Sequence, residues 1–221
     1  MTHLTDAELA DISRSTVAHY NTHAEQFWQG TRDHDVSQNI DALLSAVDRP
    51  GPLDILDLGC GPGRDLLDLA ARGHRPTGLD GSERFCEMAR ARAGCRVLHQ
   101  DFLALHLAAS AFDGVFANAS LFHIPHQELP RVLGQLYATL RPGGVLFSSV
   151  PRGDGVEGWN GERYGTYLQL PAWRTLMEGA GFAYVGHYFR PPGRPRAHQP
   201  WLASTWRRPL KSVGASGTAG A

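Results

Sequence analysis

The sequence predicts an α/β fold: a doubly wound, mostly parallel seven-stranded sheet preceded by an N-terminal helical cap. Three observations point there. Short apolar runs alternate with helical ones from residue 53 onward, the pattern of a parallel sheet covered by helices. A glycine-rich turn joins the first apolar run directly to a helix, as in α/β folds that bind a ligand at the sheet's edge. The 221 residues suffice for one domain with a buried core and some extensions, and are too few for two comfortable ones.

In chain order, Leu4, Leu9, Ile12, Val17, Tyr20 and Phe27 recur at helical spacings, and residues 36–47 read as a further amphipathic helix. Residues 1–49 therefore read as a cap, and Pro50, Gly51 and Pro52 mark the start of a domain over 50–208. Residues 53–59 form a buried strand, 64–73 a helix closed by Gly73, 76–80 a second strand, 82–94 a helix and 96–101 a third strand. A fourth strand spans 112–119. The helix expected at 126–140 has Pro130 in its first turn, where a missing N–H goes unused anyway. After a turn at 141–144 comes a fifth strand, 143–150. A polar, aromatic stretch fills 151–170, ahead of a helix at about 172–180 and late strands at 182–189 and 201–208. Residues 209–221 are small and poor in apolar side chains, and are expected to be disordered.

Composition excludes several functions. Lys+Arg number 21 against 22 Asp+Glu, so no concentrated positive surface for nucleic acid is expected. Arg190, Arg194, Arg196, Arg207 and Arg208 are interleaved with Pro and Gly, as in a solvated hairpin rather than an RNA-binding patch. No apolar run approaches the roughly 20 residues of a membrane span, and the start lacks a basic-then-apolar leader, so the expected compartment is the cytoplasm, with no membrane partner. Cys60, Cys86 and Cys95 form no C-x-x-C pair, which argues against a disulfide framework or a zinc knuckle. No metal is expected either: His123 and His126 have no other ligands nearby in sequence, and Pro125 precedes His126. The eleven histidines stand out as an excess.

The chemistry gathers at Gly59-Cys60-Gly61-Pro62-Gly63. Glycines at a strand-to-helix junction let a ligand approach the backbone, and the helix N-terminus supplies oriented N–H groups. The spacing is G-x-G-x-G, with Arg64 standing where a dinucleotide site carries its third glycine. Asp80 closes the second strand, where a carboxylate can accept both hydroxyls of a ribose. Asp101 and Phe102 close the third strand and offer an acceptor and a flat apolar surface for an adenine ring.

ILDLGCGPGRD (55–65), GLDGS (78–82), QDF (100–102), FDGVFANASLFHI (112–124) and LRPGGVLFSSV (140–150) resemble, in order and spacing, the successive motifs of class I S-adenosylmethionine-dependent methyltransferases. The resemblance implies a Rossmann-like domain with S-adenosylmethionine as cofactor. Gly59, Cys60, Gly61, Gly63 and Arg64 would cradle its methionine part, Asp80 with Gly81 and Ser82 its ribose, and Asp101 with Phe102 its adenine. Asn118 and Ala119 would lie beside the transferable methyl. Tyr20, Phe27 and Trp28 would close over the cofactor as a lid, or else pack between helices.

Asn118-Ala119-Ser120-Leu121 replaces the Asn/Asp-Pro-Pro-aromatic signature of amino-methylating DNA enzymes, and the paired glutamates of protein arginine methyltransferases are missing, so a small acceptor is favoured. TRDHDVSQNIDALL (31–44), FANASLFHIP (116–125), PRGDGVEGWNGERYGTY (151–167) and HYFRPPGRPRAHQPWLASTW (187–206) are similar to the methyltransferase domain at the C-terminal end of ovothiol-biosynthesis enzymes. That resemblance implies N-methylation of the imidazole of a mercaptohistidine. In that family the domain usually follows a sulfoxide synthase domain, so a separate enzyme is expected to supply the sulfur- or selenium-bearing histidine. The polar inventory suits a zwitterionic amino acid. Arg152 and Arg163 can pair with its carboxylate, and Asp33 or Asp35 with its ammonium. Trp159, Tyr164 and Tyr167 can wall the ring, with Asn160 or Asn118 bonding its nitrogens; alternatively 153–161 is a surface loop whose aromatics cover the sheet end. His123, after the fourth strand, is the candidate for a catalytic base or a tautomer-setting acceptor. The rival functions are methylation of another small thiol, amine or quinone precursor, and cofactor binding without catalysis.

Overall fold

The computed structural model describes residues 3–210 of the chain. The tail expected over 209–221 lies outside the described residues from 211 onward. Three helices come first: α1 (Asp6–Thr22), α2 (Ala24–Thr31) and α3 (Ser37–Ala46). Thr5 and Glu8 start α1 with a capping box, each side chain satisfying the other's backbone N–H.

The α/β alternation then follows as β1 (Asp54–Leu58), α4 (Arg64–Ala71), β2 (Arg75–Asp80), α5 (Glu83–Ala93), β3 (Arg96–His99) and β4 (Phe112–Asn118). After it come α6 (Leu129–Thr139), β5 (Leu140–Pro151), β6 (Val156–Asn160), β7 (Arg163–Tyr167), α7 (Leu170–Gly179), β8 (Ala183–Arg190) and β9 (Trp201–Arg207). The main sheet has seven strands in the order β3-β2-β1-β4-β5-β9-β8. β1 to β5 pair in parallel, while β9 runs antiparallel to both β5 and β8. This is the mostly parallel, seven-stranded arrangement expected.

Both faces of the sheet are covered because the strands carry apolar residues at every step, and successive side chains point to opposite sides. Ile55, Phe116 and Phe147 pack on one side with Ile40 and Leu43 of α3 and Leu69 of α4. Leu56, Leu58, Val115, Ala117 and Leu146 pack on the other with Val132, Leu133 and Leu136 of α6 and with Trp173 and Met177 of α7. Ile40 and Leu43 are wholly buried, each contributing about 1.5–3 kcal/mol. α3 is therefore a covering helix of the sheet, although the expected domain boundary at 50 assigned it to the cap.

Three further elements differ from expectation. The helix anticipated from residue 126 begins at Leu129, because the N–H of His126 is drawn to Glu157 Oε2 and Pro130 must fall in the first turn. β5 starts at Leu140, since the 141–144 turn is absorbed as a register shift against β4. Within 151–170, β6 and β7 pair as a two-stranded hairpin of their own. Strand order reverses between β1 and β4, and at such a switch point the carboxyl ends of the strands open a crevice. The glycine turn and Asn118 both sit there.

Candidate active site

A cavity of about 790 Å³ opens over the carboxyl ends of β1, β2 and β4 and is roofed by α1 and α2. Its floor is the turn after β1. The N–H groups of Gly59 and Cys60 both donate to the Leu79 carbonyl, at 2.7 and 3.1 Å, pinning the turn to β2. Gly59 has φ +78°, and a Cβ there would lie 2.4 Å from the Cβ of Ser120, so only glycine fits. Gly63, at φ +95°, is the N-cap of α4, and a Cβ would meet the Ala89 backbone at 2.9 Å. It sets the packing of α4 against α5, while Gly59, Cys60, Gly61 and Arg64 line the cavity.

Asp80 caps the end of β2. Its carboxylate accepts from the N–H of Gly61 (2.9 Å) and the N–H of Ser82 (2.8 Å). Burial nevertheless pushes it up to about 6, the backbone bonds offsetting only part of the cost of desolvation. Gly81 and Ser82 line the same wall, Ser82 also acting as the N-cap of α5. Asp101 accepts from the N–H of Leu103 at 2.8 Å and from the Ser13 hydroxyl of α1 at 2.5 Å, beside Phe102. Narrow glycine floor, half-buried carboxylate at β2 and acidic–aromatic pair at β3 together fit an adenosyl-amino-acid cofactor. Ser120 Oγ, on the same lining, is buried without a hydrogen-bond partner among the described residues.

Asn118 ends β4 inside a polar chain. Its Oδ1 accepts from Asn39 Nδ2 at 2.9 Å, its Nδ2 donates to Asp65 Oδ2 at 3.3 Å, and Asn39 Oδ1 accepts from the Tyr188 hydroxyl at 2.7 Å. Arg64 closes the chain, donating to both Asp65 oxygens (2.6 and 3.1 Å) and to the Thr31 carbonyl (2.8 Å). Ala119 follows at φ +61°, a left-handed conformation that non-glycine residues adopt at a cost and that clusters at functional sites. Beneath the turn, Asp57 is buried with one oxygen unpartnered; burial, then its neighbour Asp65, holds its carboxyl well above the usual range.

His123 lies in the short turn after β4, with both ring nitrogens engaged. Nδ1 donates to the Tyr164 carbonyl at 2.7 Å, so Nε2 bears the lone pair and accepts from the Tyr20 hydroxyl at 2.8 Å. Burial pushes the imidazole down to about 4, so it stays neutral at pH 7. Tyr20 packs edge-on to Phe27 and His123 and tilted against Phe85. Tyr20, Phe27 and Trp28 pack between helices, the second of the two expected alternatives, and all three also line the cavity.

Of the expected substrate residues, Asp33, Arg163 and Asn118 line the cavity, as does Asp35. Arg163 forms no ion pair with a carboxylate among the described residues; its guanidinium sits 6.0 Å from the Tyr20 ring centroid, close enough for its charge and N–H groups to act on the Tyr20 phenol. The others lie elsewhere. Arg152 donates to the carbonyls of Gln199 (2.9 Å) and Arg196 (3.0 Å) and stacks on Phe189, holding the β8–β9 connection. Trp159 is half exposed on the hairpin, edge-on to Tyr164, and Asn160 is exposed beside it. Tyr164 is buried and contributes its carbonyl rather than its ring, while Tyr167 packs toward Phe122. Alternation along β7 explains why Arg163 faces the cavity and the next residue does not. Phe122, Ser149, Arg190 and Trp201 also line the cavity. Sequence offered little sign of Arg190 and Trp201, because β9 reaches the site only through pairing with β5, and β8 only through pairing with β9.

The model of a family described as a methyltransferase domain matches residues 55–144. An uncharacterized methyltransferase of Mycobacterium tuberculosis strain H37Rv is 36% identical over 109 residues, 48% of this chain and 54% of that protein. The trans-aconitate 2-methyltransferase of Paracidovorax citrulli is 36% identical over 117 residues, 49% of this chain and 43% of that protein. The chain thus spans about half the length of the curated relatives it matches. Among solved structures, the Burkholderia thailandensis 1,6-didemethyltoxoflavin N1-methyltransferase, with that compound and S-adenosylhomocysteine bound, superposes with a TM-score of 0.75 at 24% identity, covering 95% of this chain and 92% of that one. The cyclase SpnF superposes at 0.71 with 18% identity, covering 90% and 96%, so the fold alone does not fix the chemistry.

Proposed function

We propose that this chain, which carries a class I S-adenosylmethionine-dependent methyltransferase domain, methylates a ring nitrogen of a small zwitterionic amino acid, the imidazole of a thiol- or selenol-bearing histidine. The observation that carries this is Arg163: a guanidinium with no carboxylate partner among the described residues, on a cavity wall also built from Tyr20, His123 and Asn118. Such a group anchors a carboxylate. Asp33, across the same cavity, supplies the counter-charge for an ammonium, and Phe122 and Trp201 supply flat apolar surface for a ring.

When bound, the cofactor would supply an electrophilic sulfonium methyl, with the thioether as leaving group. Asp80 would accept the ribose hydroxyls, Asp101 and Phe102 would receive the adenine, and the turn at 59–63 the amino-acid end. The protein's remaining task is to align the acceptor nitrogen and exclude water. Neutral His123 fixes the Tyr20 proton toward itself, which leaves the phenol oxygen as an acceptor for a substrate N–H. Holding one ring nitrogen as N–H directs the other nitrogen's lone pair outward, and the acidic thiol or selenol, ionised beside the ring, neutralises the charge that methylation creates. No strong base is required. Because the lone pair of His123 is already occupied, it serves as the tautomer-setting partner rather than as the base.

Calorimetric titration tests the anchor. Mercaptohistidine added to protein saturated with S-adenosylhomocysteine is expected to bind at least tenfold more tightly than its carboxamide, a preference lost in Arg163→Met. Equal binding of acid and amide removes Arg163 from the substrate site. Arg163 and Arg190 together would also suit a polycarboxylate; trans-aconitate in the same titration distinguishes that acceptor.

A further inference from the structure

Two of the eleven histidines meet a carboxylate that is remote in sequence. His19 and His23 stand four residues apart at the end of α1, on one helical face, with ring centroids 4.4 Å apart. Glu162, in the turn between β6 and β7, brings Oε2 to 2.9 Å from His19 Nδ1. One ligand-capable atom from each of the three residues lies within 4.8 Å of the others. The Nδ1–H of His23 donates to the His19 carbonyl at 2.9 Å, which orients the ring and leaves the lone pair on Nε2.

We propose that His19, His23 and Glu162 bind a divalent transition ion of the zinc type, stapling α1 to the β6–β7 hairpin. Two imidazoles and one carboxylate are a donor set that zinc accepts, with a fourth position left for water. Bonds of about 2.0–2.1 Å need tetrahedral donors about 3.4 Å apart, so side-chain rotations of about an ångström close the set. The ion takes the place of the hydrogen that His19 Nδ1 shares with Glu162; that proton moves to Nε2 of the same ring, and no other bond changes. Softer copper(I) sites prefer thiolates and magnesium prefers oxygens, so neither matches this set as well.

The staple bears on the cavity through chain neighbours. Tyr20 follows His19, Arg163 follows Glu162, and both line the cavity from opposite elements. An ion held between His19 and Glu162 fixes the spacing of those two walls.

The test uses the untagged full-length chain, freed of metal with a chelator and titrated with Zn2+ by calorimetry, then with Co2+ followed by visible absorption. One ion per chain is expected, with a nitrogen- and oxygen-ligated Co2+ spectrum. His23→Ala and Glu162→Gln, each with an unchanged circular dichroism spectrum, are expected to weaken binding at least tenfold. Glu162→Gln alters one exposed turn residue, so it reports even if His23→Ala perturbs the helix. Absence of saturable one-to-one binding, or equal affinity in wild type and both variants, overturns the site.

Discussion

The phenol of Tyr20 and Nε2 of His123 stand 2.8 Å apart, joining the first helix to the turn after β4. Because the other ring nitrogen is held by the Tyr164 carbonyl, this contact has a fixed direction, hydroxyl to imidazole. If His123 positions Tyr20 rather than taking a proton, a side chain that reproduces both hydrogen bonds restores function. His123→Ala is expected to lower kcat about 30-fold, in keeping with one lost buried hydrogen bond and a freed phenol, with His123→Gln within about threefold of wild type. Steady-state kinetics at saturating substrate decide it; equal loss in both variants means the imidazole itself carries the proton.

The same burial gives a stability signature. The native imidazole is held at about 4, below the value near 6.5 of an unfolded chain. Between those values the unfolded state binds more protons, so this residue's contribution to stability is present at pH 7 and lost as pH falls. At pH 5 the loss is about 2 kcal/mol. Urea denaturation at pH 7 and pH 5 is expected to show a fall in stability that is smaller by about that amount in His123→Gln.

Asp80 titrates in the opposite sense and is read through cofactor binding. Its carboxyl sits at about 6 in the ligand-free protein, and in the proposed role only the ionised form would accept both ribose hydroxyls. Affinity for S-adenosylhomocysteine is therefore expected to fall about tenfold from pH 7 to pH 5. Asp80→Asn is expected to bind about 30-fold more weakly at pH 7, with the pH dependence flattened. Fluorescence titration across that range measures both.

Asn39 lies outside the cavity's lining, yet it holds Asn118 from behind and is itself held by Tyr188. Asn39→Ala leaves the Asn118 carbonyl oxygen without its donor in a buried setting, at a cost of about 1–3 kcal/mol in stability. Thermal denaturation gives that cost, and kcat/KM is expected to fall about tenfold as Asn118 loses its fixed orientation.

That Gly59, Gly61, Asp80, Asp101 and Phe102 line one cavity was legible in the chain because it depends on local signals. Glycines at a strand–helix junction and acids at the ends of β2 and β3 need only the α/β alternation to become neighbours. The substrate side depends on pairings between distant segments. Arg163 lines the cavity from a hairpin whose two strands read as a polar connection, while Asn160, its cross-strand partner, and Trp159 are exposed to solvent and line no part of it. Arg152 has the chemistry of a carboxylate anchor, but its guanidinium is taken up by the backbone carbonyls of Arg196 and Gln199, 44 and 47 residues further on. Asn39 and Asp65 carry no local signal, because they reach Asn118 across 79 and 53 positions of chain.

The most direct measurement is turnover with S-adenosylmethionine and a panel of histidine, mercaptohistidine, selenohistidine, trans-aconitate and a simple thiol, read by mass spectrometry and by NMR of the product. Methylation of a ring nitrogen of mercaptohistidine or selenohistidine, with histidine at least a hundredfold slower, is the expected result. Methylation of the thiol, selenol or a carboxylate instead, or no reaction with either heteroatom-bearing histidine, would contradict the assignment of the acceptor.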